Sequence, residues 1–140
     1  MAAWQAYNRG LDEWRNWSTD TIRCLLLKGS GYTYNPDHDF VADVTPASNE
    51  WTVAGYARDS LSTKTRTIDD TNNRILYTAD TLDFGSCATG EVFDGAVLYK
   101  FVTNDADSIL LAYLLGDDRD SASSTPFTIA IPSGICYIAD

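Results

Sequence analysis

The sequence predicts an all-β protein: a single antiparallel β-sandwich of about eight strands with a short N-terminal helix, residues 1–140 forming one domain. Three observations carry this expectation. Short apolar or β-branched runs recur along the chain, each closed by a cluster of Gly, Pro, Asn, Asp or Ser. Residues 108–115 are almost uninterruptedly apolar, the pattern of a strand buried on both faces. With 140 residues, 44% of them hydrophobic, the chain has the size and composition of one globular unit, enough to bury roughly two thirds of its unfolded surface.

The elements follow in order. Trp4, Tyr7, Leu11 and Trp14 recur at spacings of three, four and three, which predicts a helix within residues 1–17 carrying one aromatic stripe. Such a helix is too short to stand alone, so its stripe must dock on its own core or on a neighbouring subunit. The sandwich is then expected over residues 20–140. Residues 21–28 read as a buried strand stopped at Gly29, Ser30 and Gly31, and residues 32–49, rich in Pro, Asp, Asn and Ser, as a long surface loop. Residues 52–57 and 63–68 suggest two strands, the second with a solvent face of alternating Thr and charge. Strands are expected at 74–79, 81–85 and 92–102, with Gly95 marking a bulge in the last. Residues 108–115, 125–131 and 135–139 complete the set.

Charge and residue inventory narrow the function. Twenty acidic against ten basic residues give a net charge of −10, which argues against nucleic acid as a partner, because phosphate binding depends on Lys and Arg displacing counterions. No apolar run is long enough for a membrane span, and the first residues lack the pattern of a secretory signal, so synthesis in a cytoplasm is expected. Cys24, Cys87 and Cys136 lie far apart and read as reduced, core-type cysteines. The one imidazole, His38, sits between Asp37 and Asp39 in the expected loop, and no serine around it resembles a nucleophile elbow. The clusters Asp37/Asp39, Asp69/Asp70, Asn104/Asp105/Asp107 and Asp117/Asp118/Asp120 match no EF-hand spacing, and turn chemistry accounts for them. No catalytic residue, cofactor or metal ligand is therefore expected, and the chain does not read as an enzyme. Trp51, beside the long loop, is the one indole free for a receptor or glycan contact.

In several runs, taken in order, the chain resembles a family of small structural proteins of tailed bacteriophages. The first is Asp20-Thr21-Ile22-Arg23-Cys24-Leu25-Leu26-Leu27, where the family has a D-T-I-K-V-x-L strand. His38-Asp39-Phe40-Val41-Ala42-Asp43-Val44 and Val53-Ala54-Gly55-Tyr56 follow. Then come Asp69-Asp70-Thr71-Asn72-Asn73-Arg74 and Ala79-Asp80-Thr81-Leu82-Asp83-Phe84, with Gly95-Ala96-Val97-Leu98-Tyr99-Lys100 and Leu110-Leu111-Ala112-Tyr113-Leu114 last. The ending, Ile135 to Asp140, and the leucine-rich strand around Leu114 depart from the pattern. The resemblance implies a virion component, a β-sandwich decoration or cement protein on the outer face of the head. Its partners would be the coat protein or other virion proteins and further copies of itself. Tail, collar or fibre association and a receptor- or glycan-binding module are the alternatives. Acidity favours a place away from packaged DNA. The expected protein interface is the aromatic stripe with its neighbour, Trp4, Tyr7, Leu11, Trp14 and Trp17, since large apolar anchors dominate interface centres.

Overall fold

The computed structural model describes residues 4–29 and 31–131, and the backbone of residues 135–138. It is mostly β, built on a five-stranded antiparallel sheet with two smaller sheets beside it. The strands are β1 (Trp4–Ala6), β2 (Ile22–Leu27), β3 (Asp59–Ser60), β4 (Thr65–Asp69), β5 (Arg74–Thr78), β6 (Leu82–Asp83), β7 (Gly95–Lys100), β8 (Ile109–Leu115), β9 (Thr128–Ile129) and β10 (Ile135–Ile138). The main sheet runs β1-β8-β7-β2-β3, while β10-β5-β4 and β6-β9 form the other two.

The main sheet buries both of its faces, and strand alternation explains how. Along β2, Ile22, Cys24 and Leu26 enter one apolar cluster while Leu25 and Leu27 enter the other. Along β7, Ala96 and Leu98 oppose Val97 and Tyr99 in the same way. The pattern breaks once in β8, where Leu111 and Ala112 share a face. Leu98 pairs with Ala112 but Tyr99 pairs with Leu110, so β8 carries one extra residue there. This bulge, rather than one at Gly95, is the irregularity of the sheet, and it puts two successive side chains on one side.

The first face is covered by residues of the smaller sheets and their loops: Tyr77, Leu82, Phe84, Phe127, Ile129 and Ile131, with Trp51 and Phe93. The second is covered by the segment read from sequence as a surface loop. Val41 and Val44, both fully buried, lie three apart on a 3₁₀ helix (Val41–Val44), and Tyr32 and Tyr34 pack beside them. Asp43 fixes that turn by accepting the N–H groups of Asp39 at 2.9 Å and Phe40 at 3.0 Å. A short helix, α1 (Pro46–Asn49), follows with Pro46 in its first turn. The expected strand at 52–57 is a turn instead. Trp51 donates its backbone N–H to Leu26, and the chain then swings away through Gly55 at φ 90°.

The N-terminal region is not the expected helix. Trp4 lies on β1, which pairs antiparallel with β8 (Trp4 with Leu114, Ala6 with Ala112), and only Arg9–Asn16 is helical, as a 3₁₀ helix. Gly10 lets this helix lie flat on β8: a Cβ there would fall 2.1 Å from the Leu110 carbonyl oxygen. In a 3₁₀ helix residues three apart eclipse one another. Trp14 and Trp17 accordingly stack, with ring centroids 5.4 Å apart and planes 2° from parallel. Of the expected strand at 135–139, residues 135–138 are present as β10, whose backbone pairs with β5, and residue 139 lies outside the described residues. The side chain of Cys136 lies outside the described residues, whereas Cys24 and Cys87 are free and buried.

Candidate functional site

A cleft of about 530 Å³ lies between the β1 edge of the main sheet, the first 3₁₀ helix and the β4–β5 hairpin. Each wall follows from an element already placed. Trp4 and Ala6 come from one face of β1, Leu11, Trp14 and Arg15 from the helix, and Ala112 from beneath at the bulge of β8. Arg66, Ile75 and Tyr77 come from the hairpin, where Arg66 pairs with Tyr77 and Ile68 with Ile75, so all four share one face. That face extends beyond the main sheet, and Ile68 is left 62% exposed.

The floor is aromatic and rigid. Tyr77 meets Trp14 edge-on at 4.7 Å, and Trp17 lies behind, fully buried, its indole N–H bonded to the Thr78 carbonyl at 2.9 Å. Trp14 is 6% exposed, and its indole N–H has no acceptor among the described residues. A buried donor left unpaired costs about 1–3 kcal/mol.

The rim is cationic, which is unusual on this chain. Carboxylates pair with Lys28, Arg58, Arg74, Lys100 and Arg119. Lys64 donates to the Asp20 carbonyl, and Arg9 and Arg23 lie over the rings of Phe40 and Phe101. Of the ten cations, only Arg15 and Arg66 have no partner among the described residues, and both line this cleft. No carboxylate is among the described lining residues.

The structure divides the residues expected at an interface. Trp4, Leu11 and Trp14 come together in the cleft, with Leu11 42% exposed. Trp17 supports it from behind and offers no surface. Tyr7, the residue after β1, is fully buried in the second cluster, where its hydroxyl meets that of Tyr32 at 2.8 Å. Burial, and then the bond to Tyr32, push the Tyr7 phenol far above its usual range, and burial with the Asp94 charge pushes Tyr113 up to about 12. Trp51 must also be corrected. It is 2% exposed, and its indole N–H is shared between the carbonyls of Leu27 at 3.1 Å and Val92 at 3.0 Å, so it presents no free face to a sugar.

The remaining polar candidates serve the fold. His38 Nδ1 lies 3.0 Å from the Tyr32 hydroxyl, linking its loop to Tyr7. Asp105 pairs with Arg58, Asp69 with Arg74 and Asn72, and Asp120 accepts from Thr89 and the Ala122 N–H. Among the described residues no group of three or more His, Cys, Asp or Glu is placed to hold a metal, and no helix is long and apolar enough to cross a membrane. Arg15, Arg66, Ile75 and Tyr77 are site residues that the sequence did not single out. Comparison with protein-family models, curated proteins and solved structures gives no match.

Proposed function

We propose that this chain is a non-enzymatic virion protein of a tailed bacteriophage, a decoration or cement subunit that binds the outer face of the coat lattice through the cleft beside β1. In this reading the five-stranded sheet with the smaller sheets over one face is a β-sandwich of the decoration type. The subunit is made in the host cytoplasm and adheres to coat protein, and to further copies of itself, without touching nucleic acid or membrane. The observation that carries the reading is the cleft: aromatic and aliphatic side chains gathered at a sheet edge, open to solvent, with the only unpartnered cations among the described residues at its rim. Interfaces concentrate their energy in such central apolar anchors, with Arg enriched among them. The ordered series of phage-like motifs supplies the particle.

A partner that binds only the assembled lattice lowers the free energy of that state by mass action. Particles stripped of the subunit are therefore expected to lose heat or osmotic resistance and to regain it when the purified chain is added back. Unchanged resistance would end the cement reading. Copy number distinguishes head from tail: a gel band comparable to coat protein places the subunit on the head, and a few dozen copies or fewer place it on the tail, collar or fibre.

A further inference from the structure

We infer that the cleft takes an acidic–apolar anchor from a neighbouring protein: a bulky apolar side chain entering between Trp4, Trp14 and Ile75, with a carboxylate a few residues away pairing with Arg15 or Arg66. This deepens the docking role proposed above and rests on it.

The lining dictates the first half. Apart from Gln5 and the two arginines, the described residues of the cleft are aromatic or aliphatic, and about 530 Å³ is within the range that encloses compact apolar groups. Charge dictates the second half. The protein as a whole is at −10 and repels acidic partners, yet here two exposed guanidinium groups stand with no carboxylate to neutralise them among the described residues. A basic or neutral segment would leave both without a counter-charge, whereas a carboxylate gains a charge-assisted bond. The Trp14 indole N–H, buried beside the same space, is a further donor that no described residue uses.

Two features make the occupant part of a protein. Leu11 in the cleft is 42% exposed and Ile68, on the same hairpin face as Arg66, is 62% exposed, so the apolar surface is more than a small amphiphilic acid would cover. Strand addition does not suit the edge, because β1 is three residues long and the Tyr34 hydroxyl already donates to the Ala6 carbonyl. Side-chain insertion remains as the mode of binding.

The test uses the purified full chain and four probes, followed by calorimetry and tryptophan emission across a salt series. Three are capped heptapeptides with a central Phe and, two positions to either side, Asp, Asn or Lys. The fourth is decanoate. The Asp peptide is expected to bind at least tenfold more tightly than the Asn or Lys peptide, with the preference shrinking as salt rises. The double variant Arg15→Gln/Arg66→Gln should lose that preference while keeping its melting temperature, since both side chains are exposed and have no partner among the described residues. Equal binding of Asp and Asn peptides, no binding of the Asp peptide, or tighter binding of decanoate would each overturn the inference. So would a dimer in sedimentation that the double variant dissolves, which would make a second copy the occupant. Retention on particles is scored separately. Peptide selectivity without retention overturns the virion reading alone, and retention without selectivity overturns this inference alone.

Discussion

Replacing Arg58 with Met removes the most heavily bonded cation in the protein while keeping much of its apolar stem. Arg58 grips Glu50 through Nε and Nη2, each at 2.8 Å, and Asp105 through Nη1 at 2.7 Å and Nη2 at 3.0 Å; Nη1 also lies 3.2 Å from the Tyr99 hydroxyl. It ties the chain after α1 to the turn between β7 and β8. Breaking a buried pair costs about 3–5 kcal/mol, but these side chains are 14–39% exposed, so screening brings the expected loss to about 3 kcal/mol. With a urea slope of about 2 kcal/mol/M, the unfolding midpoint at pH 7 falls by about 1.5 M. Acid supplies a second readout. The bonds from Arg58 hold the Asp105 carboxyl below its usual range although burial opposes them. Its contribution is therefore complete above the unfolded value, near pH 4, and is lost as pH falls through the lower folded value. In the variant, Asp105 is charged without its cation, and protonation relieves it. The gap between wild type and variant should narrow from pH 7 to pH 3. A midpoint shift under about 0.5 M, or a gap unchanged at pH 3, would refute the reasoning.

Three further outcomes follow from geometry already given. Trp51→Phe leaves the Val92 carbonyl without its donor, while the Leu27 carbonyl keeps the Asp94 N–H, and opens space in the core; it should cost about 2–3 kcal/mol in thermal or chemical unfolding. Gly10→Ala forces a Cβ against the Leu110 carbonyl and within 2.9 Å of the Leu111 Cα, so the 3₁₀ helix must lift from β8. A loss of about 2–3 kcal/mol is expected, with weakening of the near-ultraviolet dichroism of the Trp14–Trp17 stack. Asp43→Asn removes a carboxylate that the N–H groups of Phe40 and Asp39 hold below the ordinary range. It should cost about 0.5–1 kcal/mol at pH 7 and flatten the part of the acid loss below about pH 4 that Asp43 contributes, both read from urea midpoints measured across pH.

The β-rich class and most strands were legible because their signals are local. The apolar run at 108–115 and the turn clusters around 104 and 117 mark β8 whatever surrounds it. Three misreadings have one cause, that burial is decided by distant partners. Val41 and Val44 sit in a polar stretch and become core only because the second face of the main sheet needs cover. Trp51 looks free beside a loop but is drawn in by carbonyls of Leu27 and Val92. The spacing of Trp4, Tyr7, Leu11 and Trp14 predicts one helical stripe, yet contact with β8 at Gly10 selects the tighter period of three and leaves Trp4 for a strand. The cleft itself was half legible. Its aromatic wall was read from the N-terminal residues, but Arg66, Ile75 and Tyr77 join it through a hairpin some sixty residues on, and no pattern within either segment announces the other.

The pairing of β1 with β8 also bears on how the molecule comes into being. Trp4 leaves the ribosome more than a hundred residues ahead of Leu114, the position it lies against. Until then β1 has no strand to pair with, and joining segments so far apart in the chain carries the entropic toll of a long loop and slows folding. The nascent polypeptide thus waits with the first strand of its main sheet unpaired. Shortening the chain to end before β8 would undo its beginning as surely as its end.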